Sequence, residues 1–163
     1  MHRPYSCCPS CGAALPEGPS WPKRCARCGR AGYLSPAPVG VVLQPVDGGL
    51  LLVERGIPPG LGEWALPGGF IDAHERWREG CVRELREETG LVVAPGALTL
   101  WELLDAPEAN LLLIFVLAPP LSAAELPPFV VSSECTARRV ASGPEPLAFP
   151  LHTAAVARFF AAP

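Results

Sequence analysis

Apolar residues along the chain form short runs separated by turn residues, which is typical of a protein built from several short strands. Two runs, residues 39–45 and 50–54, flank Asp47-Gly48-Gly49, a strong β-hairpin signal. A third short run begins at Trp64 and ends at Leu66. Further strands are predicted at residues 98–104, at Leu111–Leu117 and within residues 130–140.

Two other segments have the composition and spacing of helices. Residues 75–89 contain no proline and are rich in helix formers towards their end, and Gly90 follows as the residue that ends the helix. Residues 151–160 place apolar side chains at helical spacing and predict a terminal helix. Strands on both sides of one well-bounded helix predict an α+β fold, an α/β/α sandwich with a mixed sheet.

The composition is that of a globular protein with one main domain and a small appendage. The 163 residues are 49% hydrophobic, and the formal net charge is −3. That charge gives no reason to expect a nucleic-acid backbone or an anionic membrane as the main partner. The first ten residues lack the apolar core of a signal peptide, and no apolar run is long enough to span a bilayer, so a cytoplasmic protein is expected.

Four of the seven cysteines form two matched pairs near the N-terminus. Each pair has two intervening residues and a following glycine, and the pairs are Cys8 with Cys11 and Cys25 with Cys28. Two intervening residues let both thiolates of a tight turn reach one tetrahedral ion. We therefore expect the four cysteines to hold a structural Zn²⁺ ion.

These cysteines define a zinc ribbon of residues 1–34, followed by a main domain of residues 35–163. Cys7 would also complete the set in place of Cys8, at the cost of a wider turn. Ordinary buried cysteines or a redox pair are the alternatives to a metal site. Nucleic-acid binding by the ribbon is a further alternative, because this part of the chain contains Arg3, Lys23, Arg24, Arg27 and Arg30.

The longer predicted helix carries three glutamates on one side. At about 100° per residue, Glu84, Glu87 and Glu88 share one sector at the edge of the apolar face. Carboxylates at this spacing repel one another unless something compensates, and such hard oxygen ligands suit Mg²⁺ or Mn²⁺. The alternative is a solvated acidic face that Arg83 and Arg86 neutralise in part.

A longer pattern surrounds these glutamates. It reads Gly69-x5-Glu75-x7-Arg83-Glu84-Leu85-x-Glu87-Glu88-x-Gly90-Leu91 and resembles the Nudix box at every fixed position. The resemblance implies the Nudix fold, with the box as a loop–helix–loop. It also implies a divalent-metal-dependent hydrolase that cleaves the diphosphate of a nucleoside diphosphate linked to another group. Departures from the common pattern at His74, Arg76 and Gly80-Cys81 leave the glutamates untouched.

The resemblance also implies roles for individual residues. The Mg²⁺ or Mn²⁺ ligands would be a backbone carbonyl near Gly69 and the side chains of Glu84, Glu87 and Glu88. Glu75 would support the metal site or a bound water, and Arg83 would orient a box glutamate through a charge-assisted hydrogen bond. Arg55 resembles the substrate-facing arginine at the end of a strand.

The catalytic base is expected outside the box. Glu134, in the segment Ser133-Glu134-Cys135, lies where such a loop carboxylate is sometimes found in the family. A salt bridge from Glu134 to Arg138 or Arg139 is the alternative.

A ribbon followed by this box resembles the ADP-ribose/FAD pyrophosphatases, so ADP-ribose, FAD or a similar small molecule is the expected substrate. NADH pyrophosphatases are an alternative, but their Ser-Gln-Pro-Trp-Pro-Phe-Pro type motif has no counterpart after the box, where the chain reads Val92-Val93-Ala94-Pro95-Gly96. A non-catalytic ligand sensor is a further alternative, against which the complete glutamate set argues. The resemblance is compatible with a homodimer. Candidates for stacking an adenine, most of them expected in the core, are Trp101, Phe115, Phe129 and Phe149.

Overall fold

A computed structural model describes residues 6–162, and the chain divides into two compact units, with the boundary between Pro36 and Ala37. In the first unit, the short strands β1 (Lys23–Arg24) and β2 (Ala31–Gly32) pair antiparallel. Buried residues of this unit are Cys8, Leu15 and Cys25. Arg3 lies outside the described residues.

The second unit holds the expected succession of strands and helices. Its elements are β3 (Ala37–Leu43), β4 (Pro45–Val46), β5 (Gly49–Arg55), β6 (Trp64–Ala65), β7 (Gly68–Phe70), α1 (Trp77–Thr89), β8 (Thr99–Ala106), β9 (Leu111–Leu117), β10 (Cys135–Ala141) and α2 (Pro150–Ala161). One sheet has the order β7-β3-β9-β8, and the other runs β10-β5-β4 with β6 also paired to β5. β3 pairs with β9 in parallel and with β7 antiparallel, which confirms a mixed sheet.

The predicted hairpin lies between β4 and β5. Asp47 and Gly48 have φ angles of 46° and 80°, the left-handed conformation that a two-residue hairpin turn of this kind requires. The turn directs β5 back along β4, and the Leu51 N–H donates to the Gln44 carbonyl at 2.9 Å. The hairpin prediction is therefore confirmed.

The core shows why the fold is an α/β/α sandwich. Successive side chains of a strand point to opposite faces of a sheet. Val41 of β3 and Leu50 of β5 pack in one buried cluster with residues of α2, whereas their neighbours Val42 and Leu51 pack in a second cluster that contains Leu85 of α1. The two helices thus cover opposite faces of the strands, and the predicted fold class is confirmed.

Helix α1 begins two residues later than the sequence predicts. Its first residue is Trp77, and the Glu79 carboxylate accepts a hydrogen bond from the Arg76 N–H at 2.9 Å. Glu75 therefore lies in the preceding loop, while Gly90 ends the helix with a φ of 79°, as predicted. No helix in the part of the chain that the structure describes combines the length and apolar character needed to cross a membrane.

Candidate functional site

The four paired cysteines come together in the first unit. The Sγ atoms of Cys8, Cys11, Cys25 and Cys28 all lie within 4.8 Å of one another. Two of the distances are 3.7 Å, from Cys8 to Cys28, and 3.6 Å, from Cys11 to Cys25. Four sulfurs bound tetrahedrally to one zinc ion would be about 3.8 Å apart. Cys7 is exposed and lies outside this group.

Both cysteine pairs have the same turn geometry. The N–H of Gly12 donates to the Cys8 carbonyl and that of Gly29 to the Cys25 carbonyl, each at 2.9 Å. The two glycines have φ angles of 71° and 72°, a conformation that a side chain would strain. Arg24 supports the second turn, since its guanidinium donates to the Gly29 carbonyl at 2.7 Å.

The electrostatics of the cysteine group favour a bound cation. The backbone N–H of Cys28 lowers the pKa of the Cys25 thiol to about 7. The backbone N–H of Ala13 acts in the same direction on Cys11, but burial and the neighbouring sulfurs outweigh it and raise the Cys11 pKa to about 12. The Cys25 thiol thus ionises more readily and the Cys11 thiol less readily than a free thiol, and a cation beside Cys11 would favour its ionised form.

The box glutamates of α1 face the backbone of β7. The Gly68 N–H donates to Glu88 Oε2 at 2.8 Å. A methyl group at Gly69 would lie only 2.6 to 2.7 Å from the carboxylate atoms of Glu84, so this carboxylate is packed directly against the Gly69 backbone. The structure thus brings Gly69, Glu84 and Glu88 together, as the sequence predicts.

Burial makes the ionised forms of these two carboxylates costly. Burial, together with the like charge of Glu84, raises the pKa of Glu88 to about 7, although the Gly68 N–H acts in the opposite direction. Burial also raises the pKa of Glu84, and the charges of Glu87 and Glu134 add to this effect. The pair therefore forms a partly desolvated negative site.

Arg83 connects the separate parts of the box. Its Nε and Nη2 atoms donate to the two oxygens of Glu75 at 2.8 and 2.9 Å, which lowers the pKa of Glu75. Its Nη1 atom donates to Glu84 Oε1 at 2.7 Å and to Glu87 Oε2 at 3.2 Å, and Nη2 also reaches the Phe70 carbonyl at 2.9 Å. One guanidinium thus ties the loop, β7 and α1 together.

Glu87 and Glu134 lie at the exposed side of the site. The Glu87 side chain is 50% exposed. Glu134 is exposed in the segment before β10, and its charge acts on Glu84. The proposed alternative partners of Glu134 have other contacts, because Arg138 donates to the Thr89 and Pro127 carbonyls and Arg139 pairs with Glu145.

Arg55 extends from the end of β5 beside the site. Its Nε donates to the Pro59 carbonyl at 2.6 Å, and its guanidinium lies 4.9 Å from the centre of the Phe149 ring. Its charge opposes the rise in the pKa of Glu88. The arginine chosen from sequence therefore stands next to the carboxylates.

The aromatic candidates separate into core and surface. Phe115 is completely buried, and Trp101 packs against Phe159, so Phe115 and Trp101 belong to the hydrophobic core. Phe129 and Phe149 are each partly exposed beside an arginine. His74 is exposed in the loop before α1.

Two residues near the site were missed by the sequence analysis. The buried thiol of Cys135 hydrogen-bonds the Glu88 carboxylate, and His152 of α2 accepts a hydrogen bond from the Leu66 N–H just before β7. A single buried cysteine has no distinguishing pattern. His152 did carry a signal, because it interrupts the apolar stripe of the terminal helix.

Comparison with known proteins assigns the family. The family model of the NUDIX domain matches residues 34–138, and the chain therefore belongs to the Nudix family. Over 60 residues the chain is 43% identical to the ADP-ribose pyrophosphatase of Methanocaldococcus jannaschii. That match covers 37% of this chain and 36% of the relative, so the chain spans about a third of the length of that protein.

Solved structures share the fold. The Nudix hydrolase from Nitrosomonas europaea has a TM-score of 0.74 at 23% identity, covering 96% of this chain and 90% of that one. A bifunctional NMN adenylyltransferase/ADP-ribose pyrophosphatase from Francisella tularensis, in complex with AMP and a manganese ion, has a TM-score of 0.58 at 24% identity. The match covers 68% of this chain and 35% of that one. At these identities the similarities establish the fold.

Proposed function

We propose that the protein is a divalent-metal-dependent pyrophosphohydrolase that cleaves the diphosphate of ADP-ribose, FAD or a similar nucleoside diphosphate linked to another group. The observation that carries the proposal is the pair of partly buried carboxylates, Glu84 and Glu88, packed against the Gly68-Gly69 backbone. A site that gathers negative charge and is partly shielded from water is suited to a hard cation.

The hydrogen bonds within the box leave ligand atoms for Mg²⁺ or Mn²⁺. Arg83 holds Oε1 of Glu84 and Oε2 of Glu87, and the Gly68 N–H holds Oε2 of Glu88. The second oxygens of Glu84 and Glu87 lie outside these bonds, and the Glu88 carboxylate also accepts a hydrogen bond from the Cys135 thiol, which a metal ion at Glu88 would replace or share. Together with the carbonyl of Gly69, these oxygens are the proposed metal ligands.

The proposed chemistry assigns a task to each neighbouring residue. A bound divalent ion would neutralise the charge that develops on the phosphate and would lower the pKa of the attacking water. Arg83 keeps Glu84 and Glu75 in place. Arg55 binds a phosphate oxygen of the substrate, and the carboxylate of Glu134 accepts the proton of the water as the general base.

We also propose that Cys8, Cys11, Cys25 and Cys28 hold a structural Zn²⁺ ion. The sulfur separations fit a tetrahedral site of four thiolates. Such a site offers no open coordination position, so its function is to fold the first unit rather than to take part in hydrolysis.

The preferred substrates are supported by two similarities. The relative from Methanocaldococcus jannaschii is an ADP-ribose pyrophosphatase, and the Francisella tularensis protein combines an ADP-ribose pyrophosphatase with bound AMP and manganese. By analogy, AMP is the expected product on one side of the cleaved diphosphate.

A substrate panel tests the proposal. The full chain would be incubated with Mg²⁺ and ADP-ribose, FAD, NADH, capped RNA or nucleoside triphosphates, and the products would be separated by chromatography. We expect AMP from ADP-ribose or FAD, and only in the presence of the metal. Release from NADH alone would contradict the substrate assignment, and tight binding without turnover would instead indicate a sensor.

A further inference from the structure

His152 of α2 is a buried histidine that makes a directed hydrogen bond. His152 is 6% exposed, and its Nδ1 accepts a hydrogen bond from the Leu66 N–H at 3.2 Å. A ring nitrogen that accepts a hydrogen bond carries no proton, so this contact requires the neutral imidazole with its proton on Nε2.

The surroundings of the ring keep it neutral. The rings of Phe115 and Phe149 meet it edge-on, with centres 5.7 and 5.0 Å away. Among the described charged groups, Arg55 at the end of β5 is the one whose charge acts on the imidazole. Burial, with a contribution from Arg55, lowers the pKa of His152 to about 3.

The hydrogen bond holds the middle of a short segment, residues 64–68, that reaches the proposed metal site. Two residues beyond Leu66, the Gly68 N–H donates to Glu88 at 2.8 Å. On the other side, the Trp64 carbonyl accepts a hydrogen bond from the Ala148 N–H at 2.8 Å, just before α2. The segment 64–68 is therefore held between the start of α2 and a box carboxylate.

This segment has little freedom to move without disturbing the carboxylates. Gly69 follows it directly, and the Glu84 carboxylate is so close to Gly69 that even a methyl group has no space. A shift of the backbone at Leu66 would therefore change the positions of the Gly68 N–H and the Gly69 carbonyl together.

We propose that His152 is a positioning residue whose neutral Nδ1 holds Leu66, so that the Gly68-Gly69 backbone meets Glu88 and Glu84 in the geometry that binds the metal. This inference rests on the proposed function, because it concerns the same site. His152 touches neither the substrate nor the reacting atoms, and it acts only through the backbone of residues 66–69.

Two variants of His152 separate positioning from simple packing. His152→Asn keeps an acceptor close to the place of Nδ1 and cannot ionise, whereas His152→Leu fills a similar volume without an acceptor. Val156→Ala is the matched control, because Val156 is a fully buried residue of the same helix that packs in the same core cluster as Leu66 and whose side chain has no hydrogen-bonding atom. It lowers stability without removing the hydrogen bond.

Three readouts are compared: kcat and KM for ADP-ribose with Mg²⁺, the affinity for Mn²⁺ by calorimetry, and hydrogen exchange of the Leu66 amide. We expect His152→Leu to lower kcat about tenfold or more, to weaken Mn²⁺ binding, and to speed Leu66 exchange by about tenfold. His152→Asn should stay within about threefold of the wild type in each readout. Val156→Ala should lower the melting temperature but leave kcat and Mn²⁺ affinity unchanged.

Several results would overturn the inference. One is a folded His152→Leu protein with wild-type kcat and Mn²⁺ affinity, and another is a folded His152→Asn protein as impaired as the leucine variant. If His152→Leu does not fold, nuclear magnetic resonance of the wild type decides: a His152 ring that titrates near pH 6.5, or carries its proton on Nδ1, contradicts the proposal. Absence of turnover by the wild type would refute the proposed function, while Mn²⁺ affinity and amide exchange would still test His152.

Discussion

The glutamate side chains of α1 differ widely in their exposure to solvent. Glu87 and Glu88 are neighbours in sequence, yet Glu87 is half-exposed, whereas burial raises the pKa of Glu88 to about 7. The sector occupied by each residue follows from helical geometry, and the sequence placed both correctly near Glu84. The depth of each side chain depends on the backbone of β7, which helical geometry does not describe.

Replacing Glu88 by glutamine tests its role in metal binding. The amide oxygen can still accept the Gly68 N–H, so the fold should remain, but the negative charge is lost. We expect Glu88→Gln to lower the rate of AMP release by about a hundredfold or more, and Glu87→Gln to lower it strongly as well. Glu108→Gln, at an exposed turn, is the control and should retain full activity. Full activity in either box variant would show that the metal assignment is wrong.

The same substitution has a measurable effect on the pH dependence of stability. In the metal-free protein the pKa of Glu88 is raised to about 7 from an unfolded value of about 4.3, so the folded state keeps its proton at higher pH. The stabilisation is therefore present below about pH 4 and is lost as the pH rises through about 7.

Glu88→Gln should lack this dependence. The free energy of unfolding of the wild type, minus that of Glu88→Gln, should fall between pH 5 and pH 8.5 by roughly 3 kcal/mol at most. Denaturant titrations with a chelator present would measure the difference, in which the titrating groups that do not interact with Glu88 cancel. A difference that stays constant over this range would mean that Glu88 ionises as an ordinary exposed carboxylate.

Between elements, the distance from β7 to α1 is set by glycines. Gly69 allows Glu84 to approach, and Gly80 plays a similar part on the helix, because a methyl group there would lie 2.5 Å from Ile71 and 2.9 Å from Glu75. This contact gives a physical reason for glycine at a position where the chain departs from the common Nudix pattern. The loop that carries Glu75 can then lie against the helix, where Arg83 holds it.

Gly69→Ala should separate activity from folding. The φ angle of Gly69 is not in the left-handed region, so alanine suits the backbone, but its methyl group would displace the Glu84 carboxylate. We expect activity to fall about tenfold or more and Mg²⁺ affinity to weaken, with only a modest loss of stability. Gly96→Ala is the matched control, since nothing lies within 4 Å of the added methyl group. Equal activities of the two variants would contradict the close packing of Glu84 at Gly69.

At the scale of the whole molecule, much of the architecture could be predicted because hydrophobic periodicity and turn residues report directly on local structure. The hairpin at Asp47-Gly48, the end of α1 at Gly90 and the terminal helix all follow from short stretches of sequence. Contacts between distant segments could not be read in this way. The link from His152 to Leu66 spans 86 positions, and no local pattern encodes it.

The two units have cores of different kinds. The second unit buries large aliphatic and aromatic side chains, among them Leu43, Leu52 and Phe115. Among residues 6–36 of the first unit, the buried cluster consists of Leu15 and two of the paired cysteines. So small an apolar core cannot offset the entropy of ordering its chain, and a bound metal ion would supply the missing free energy.

Cysteine substitutions test this dependence and decide between Cys7 and Cys8. Cys8 is buried among the other three thiols, whereas Cys7 is exposed and outside the group. We expect Cys8→Ser to lose the one zinc ion that the wild type should contain and to broaden the amide resonances of the first unit, while the second unit keeps its fold. Cys7→Ser, the adjacent matched control, should keep one zinc ion per chain, measured by metal analysis of the purified protein. Because the second unit has its own core, Cys8→Ser should still hydrolyse substrate with Mg²⁺. Zinc retained by Cys8→Ser but lost from Cys7→Ser would show that Cys7, and not Cys8, is the ligand. If neither the wild type nor either variant contains zinc, the zinc assignment is wrong and the four thiols would form a redox group instead.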